Sequence, residues 1–209
     1  MNAPTKIPVA IINPDAPEES LEAKQPAVDN GTHCHDKDGY FSREFMQLEW
    51  QRQWPRTWLI AGVTSDIPGI GDYFLFNIGH ESIIVTRTDD GIKAFYNVCS
   101  HRGARLVTEE HGNKKVFVCP FHSWSFHNNG ELRRITDEET FHPDVVKHRP
   151  GLTPVRCETK AGIVFICMDD GAPPLSDMIG LPEGYLEAYR IDEMKVVRHV
   201  RSEWGSNWK

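Results

Sequence analysis

Two short segments combine thiol and imidazole side chains at spacings that suit a metal centre. One is Cys99-Ser100-His101 and the other is Cys119-Pro120-Phe121-His122, with 17 residues between His101 and Cys119. In the first, positions i and i+2 share one face of an extended or tightly looped backbone. In the second, i and i+3 suit a turn. Each segment therefore offers one thiolate and one imidazole toward a shared point. Two metal chemistries use such donors. Zinc accepts two Cys and two His, usually from a Cys pair and a separate His pair. A [2Fe–2S] cluster can instead take two Cys on one iron and two His on the other. The mixed pairing points to the cluster, and structural zinc stands as the alternative. Replacing two thiolates with neutral imidazoles raises the reduction potential above that of all-Cys clusters, and the chemistry is one-electron transfer.

Both segments need strands to hold them. Ala94 to Val98 and Val116 to Val118 read as strands that lead into the two loops, so that adjacent hairpin tips clamp one centre from two sides. Upstream, Tyr73, Leu75 and Ile78 precede a Gly79-His80 turn, Ile83 to Val85 form the next strand, and Asp89-Asp90-Gly91 closes a hairpin. Trp58 to Ile60, Trp124 to Phe126 and Gly162 to Met168 add further strands, and Val196, Val197, His199 and Val200 suggest another. Ser42 is placed to cap a short, partly buried helix carrying Phe45, Met46, Leu48 and Trp50, which ends before Pro55. Pro173 to Tyr189 reads as a loop with short helical pieces. The expected fold is mainly β, an antiparallel sandwich with a cluster-binding subdomain of two hairpin loops and a short N-terminal helix.

The stretch Asn97-Val98-Cys99-Ser100-His101-Arg102-Gly103-Ala104, with Cys119-Pro120-Phe121-His122-Ser123-Trp124, resembles the N-terminal part of Rieske non-haem iron oxygenase α subunits, the aromatic-ring-hydroxylating dioxygenases and their relatives. The resemblance continues through Gly71-Asp72-Tyr73, Asn129-Gly130-Glu131-Leu132 and Gly162-Ile163-Val164-Phe165, and reaches Asn207-Trp208-Lys209. It implies a Rieske [2Fe–2S] cluster held by Cys99, His101, Cys119 and His122, fed by a ferredoxin or reductase. It further implies a homotrimer or α3β3 assembly at full length, in which electrons pass to a mononuclear Fe(II) held by two His and a carboxylate. Those ligands would follow the Asn-Trp-Lys segment, so the expectation is an enzyme subunit cut before its catalytic domain and not competent by itself. His142, Asp144 and His148 lie near one another but in a Pro- and Glu-rich loop, and are not taken as a substitute iron site. A self-standing Rieske electron carrier is the second reading. The family usually has Gly where Ser123 stands; Ser is either a neutral turn residue or a hydroxyl donor toward the cluster. Rieske proteins of the cytochrome complexes resemble the same motif but carry an extra Cys in each loop. Ala104 and Phe121 occupy those positions here, so a low-potential centre is expected.

The organisation along the chain follows. Residues 1–38 are an extended or disordered arm, 39–170 the Rieske domain, and 171–209 a linker and the start of a truncated domain. His33-Cys34-His35, in a Gly-flanked loop, is not read as a site. Cys157 and Cys167 are expected in the core. Trp124 is expected to be both a core residue and a shield for the cluster, while the other histidines (His80, His111, His127, His142, His148, His199) are surface or satisfied groups. Arg102 either bonds near the cluster or is solvated. Thirty acidic against 23 basic residues give a net charge of −7, which argues against nucleic-acid binding. No stretch has the roughly 18 to 20 apolar residues of a membrane span. Neither a membrane nor a nucleic acid is expected as a partner, and a cytoplasmic location is expected.

Overall fold

The computed structural model of the chain describes residues 37–209 except 199 and 201. The N-terminal arm with His33, Cys34 and His35, and also His199, lies outside the described residues. Ten strands run in chain order: β1 (Leu59–Val63), β2 (Asp72–Ile78), β3 (Glu81–Thr88), β4 (Gly91–Tyr96), β5 (His111–Asn113), β6 (Val116–Val118), β7 (Ser125–His127), β8 (Leu132–Arg134), β9 (Pro154–Lys160) and β10 (Ile163–Cys167). Seven form an antiparallel sheet in the order β1-β10-β9-β4-β3-β2-β5, and β6-β7-β8 form a second, smaller one. The mainly β expectation is borne out, with turns at Gly79-His80 and Asp89-Asp90 where the hairpin signals lie.

The period of two along a strand divides the side chains between two cores. Phe74, Ile83, Val85 and Ala94 point to one side and meet Val164 and Ile166 of β10, with Ile67 and Val155. That contact between distant strands of one sheet curls it around its own core. Tyr73, Ile84 and Phe95 point to the other side and pack with Phe117, Phe126, Trp124, Cys99 and Cys119. Strand β3 feeds both cores, which is why Ile83, Ile84 and Val85 are all fully buried in succession. The second core is the floor of the two Cys/His loops.

Among the described residues four short helices accompany the strands: α1 (Asp38–Phe41), α2 (Arg43–Arg52), α3 (Pro143–Lys147) and α4 (Leu175–Met178). The hydroxyl of Ser42 caps α2 by accepting from the Phe45 amide at 3.1 Å. The expected apolar face of this helix is not buried, however. Phe45, Met46 and Leu48 are exposed, and the buried residue is Glu49. Its carboxylate meets Lys209 Nζ at 2.9 Å and accepts from Trp208 Nε1 at 3.4 Å. The Asn-Trp-Lys segment thus folds back on α1 and α2, with Asn207 donating to the Tyr40 carbonyl at 2.5 Å. The strand expected around Val196–Val200 does not form among the described residues. Val196, Val197 and Val200 are largely exposed and belong to neither sheet.

Cys167 is fully buried and Cys157 partly buried against the curled core. Burial, with the Glu158 carboxylate beside it, pushes the Cys157 thiol up to about 12. At pH 8 such a thiol holds on the order of one thiolate in ten thousand. Native protein treated with iodoacetamide and mapped by peptide mass should modify Cys157 roughly a thousandfold more slowly than a free cysteine. Modification at the free-thiol rate would show that this edge of the core opens.

Candidate metal centre

Strand β4 delivers Asn97, Val98 and Cys99 into the first loop; β6 delivers Cys119 into the second, which returns as β7. The two loops share one backbone scheme. The Cys99 amide donates to the Ala104 carbonyl at 2.8 Å, and the Cys99 carbonyl accepts from Gly103 at 3.0 Å. The Cys119 amide donates to the Trp124 carbonyl at 2.8 Å, and its carbonyl accepts from Ser123 at 2.9 Å. In each loop the cysteine bonds to residues four and five positions ahead, and the residue four ahead has a left-handed backbone: Gly103 at φ +78° and Ser123 at φ +58°. A residue with a β-carbon is disfavoured in that conformation, which explains why glycine is the natural choice there. The Ser123 side chain is exposed, and its role here is that of a turn residue.

Asn97 closes the first loop from within. It is fully buried, its Oδ1 accepts from the Leu106 and Val107 amides at 3.0 and 3.1 Å, and its Nδ2 donates to the Val107 carbonyl at 2.8 Å and to Ser82 Oγ at 3.2 Å. An amide side chain that satisfies this many buried backbone groups rigidifies the loop it closes.

The four candidate side chains come together and sort by element. Cys99 and Cys119 are both free, almost fully buried, and neighbours in one core cluster. His101 and His122 have their ring centres 4.7 Å apart at an interplanar angle of 68°. Nδ1 of each ring is buried and has no hydrogen-bond partner. Buried polar atoms without a partner cost about 1–3 kcal/mol and call for an explanation; here two of them lie side by side. Burial raises the Cys99 thiol, with the adjacent Cys119 adding to it. Burial also lowers the His101 imidazole, aided by His122, Arg102 and Arg149, which favours the neutral form that a metal takes. Among the described residues no three His, Cys, Asp or Glu side chains group so as to hold a single metal ion. One sulfur pair beside one imidazole pair suits a cluster whose two irons take different donors.

Aromatic rings close the site. Trp124, 1% exposed, lies parallel to His101 with centroids 4.6 Å apart and 12° between planes. Phe141, just before α3, packs edge-on against both rings. Phe121 leans on His122 at 4.2 Å yet is 65% exposed, so the second loop presents an apolar tip to solvent. Arg102 is exposed. Sequence reading found Trp124 but neither Phe141 nor Arg149, whose guanidinium lies 5.2 Å from the Trp124 ring centre. His142, Asp144 and His148 do not converge: His142 caps α3, and the His148 ring bonds to the Asp144 carbonyl. His80, His111 and His127 are exposed, as expected.

The left-handed backbone at Ser123 yields a stability test. Ser123→Gly should stabilise the cluster-loaded protein by about 0.5–1 kcal/mol, read as a higher thermal midpoint. A lower midpoint would show that the serine side chain makes a contact worth more than the strain.

Comparison with known proteins agrees with this geometry. Residues 57–150 match the Rieske [2Fe-2S] domain family. The chain is 32% identical over 171 residues to the glycine betaine monooxygenase oxygenase subunit of Pseudomonas aeruginosa, covering 81% of this chain and 39% of that protein. It is 42% identical over 147 residues to the large oxygenase component of the naphthalene 1,2-dioxygenase system of Pseudomonas putida, covering 69% of this chain and 33% of that one. In structure it is similar to the apo form of a quaternary ammonium Rieske monooxygenase, with a TM-score of 0.74, 28% identity, and coverage of 82% of this chain and 51% of that chain. The chain spans well under half the length of these curated relatives.

Proposed function

From a chain that carries a Rieske [2Fe-2S] domain homologous to the Rieske part of oxygenase large subunits, we propose that Cys99, Cys119, His101 and His122 hold the cluster and that the domain relays single electrons within an oxygenase. The thiolates of Cys99 and Cys119 would hold one iron and Nδ1 of His101 and His122 the other. The observation that carries this assignment is the sorting of the side chains: two adjacent buried cysteines, and two adjacent buried ring nitrogens that have no partner among the described residues. When bound, the cluster accepts and returns one electron.

The residues of the chain supply the rest. The paired loop hydrogen bonds hold each cysteine in place, and Asn97 fixes the first loop. Trp124 and Phe141 exclude water from the His101 side. The exposed ring of Phe121, over His122, offers a short path for an electron between the site and a docked protein. The donor is a ferredoxin or reductase, and the acceptor is a mononuclear Fe(II) outside the described residues, in a full-length trimer or α3β3 assembly. Residues 39–170 form the electron-transfer domain, and 171–209 lead toward the part of the protein that holds this iron. No described helix is long and apolar enough to cross a membrane, and a cytoplasmic location fits this role.

The direct test mixes iron-loaded protein with NADH, a ferredoxin reductase and its ferredoxin, and follows the visible absorbance. Reduction within seconds is expected for the wild type. Cys119→Ser is expected to bind little iron and to show no such bleaching. A loaded wild type that dithionite reduces, but that neither reductase nor ferredoxin reduces, would contradict the proposed donor.

A further inference from the structure

Residues 149–152 are distant in sequence from both loops, yet they strap the first loop to the second. Ser100, between the first pair of ligands, donates through Oγ to the Pro150 carbonyl at 3.2 Å. Its own carbonyl faces Arg149 Nη1 at 3.5 Å. The Arg149 guanidinium stands over the ring of Trp124, which follows the second pair of ligands and stacks on His101. Its Nε is buried and without a hydrogen-bond partner.

The strap is held in place by backbone packing. The Leu152 amide donates to the Gly130 carbonyl at 2.8 Å, and a β-carbon on Gly151 would meet that same oxygen at 2.2 Å. Leu152 itself is buried in the core beneath the loops. Arg149 is therefore partly buried and fixed between the two loops, unlike the solvated Arg102. The contacts at 5.2 and 4.6 Å place its charge within about 10 Å of the His101 ring.

We propose that Arg149 is a positioning residue of this centre, whose fixed charge, seated on Trp124 beside His101, makes the site easier to reduce. The proposal rests on His101 being a cluster ligand. Reduction adds one negative charge at the site. A cation at about 10 Å, in an environment of effective dielectric constant about 20, favours that state roughly tenfold in the equilibrium constant. A solvated arginine at the same distance would be screened to a small fraction of this. The arginine type matters because a planar guanidinium can lie on an indole while bonding sideways to a carbonyl.

The test is a redox titration at fixed pH of the wild type, Arg149→Met, Arg149→Gln and Arg149→Lys, each with iron and sulfide content and the EPR spectrum of the reduced form. Both neutral variants should keep a reducible cluster whose equilibrium constant for reduction falls about tenfold. Arg149→Lys should retain most of the wild-type value. A neutral variant with full cluster and an unchanged potential would overturn the proposal, and so would a lysine variant that falls as far as the neutral ones. A wild type with neither iron nor sulfide would overturn the ligand assignment beneath it, a result distinct from either of these.

Discussion

Two imidazole nitrogens buried side by side, with no partner among the described residues, are the constraint around which the rest of this structure is arranged. Each costs free energy in an unliganded fold, and burial also makes the neighbouring Cys99 thiol resist ionisation. A bound cation reverses these costs, since it takes the imidazoles neutral and the thiols deprotonated. Cluster binding and loop stability are then one quantity. The backbone scheme repeated in both loops, the interior bonds of Asn97, and the stack of Trp124 on His101 all hold these four side chains in place.

The sheet explains how such a site can sit on a small domain. Alternation along β2, β3 and β4 sends one set of side chains into the curled core and the other beneath the loops. The loop floor is therefore continuous with the framework, through Tyr73, Ile84 and Phe95. Gly130 contributes where its backbone passes so close to Phe95 that a β-carbon would lie 2.3 Å from the ring. That close approach brings the carbonyl of Gly130 to the Leu152 amide, and so seats the strap carrying Arg149.

Much of the site was legible in the residues because its chemistry is local. Mixed Cys/His pairs at short spacings pick out the four side chains that the fold brings together, and Gly and Asp turns mark the hairpins on either side. Three features were not legible, each because its cause is distant in sequence. Arg149 lies about 25 residues past the second loop and is seated at the site by the close approach of Gly151 to Gly130 and by bonds with Ser100. Helix α2 buries Glu49 and leaves its apolar residues exposed, because Lys209 and Trp208 return to it from the far end of the chain. Val196 and Val197 have strand-like composition, but they are exposed and belong to neither sheet. Ser123 is a different case: its departure from glycine was visible, while its backbone conformation emerged only by comparison with Gly103.

The most direct test of the central claim is to measure iron and acid-labile sulfide in protein produced under iron-replete conditions, with low-temperature EPR after dithionite reduction. About two irons and two sulfides per chain are predicted, with the low average g-value that arises when imidazoles replace thiolates on one iron. Zinc in place of iron, or folded protein with no metal, would contradict the account.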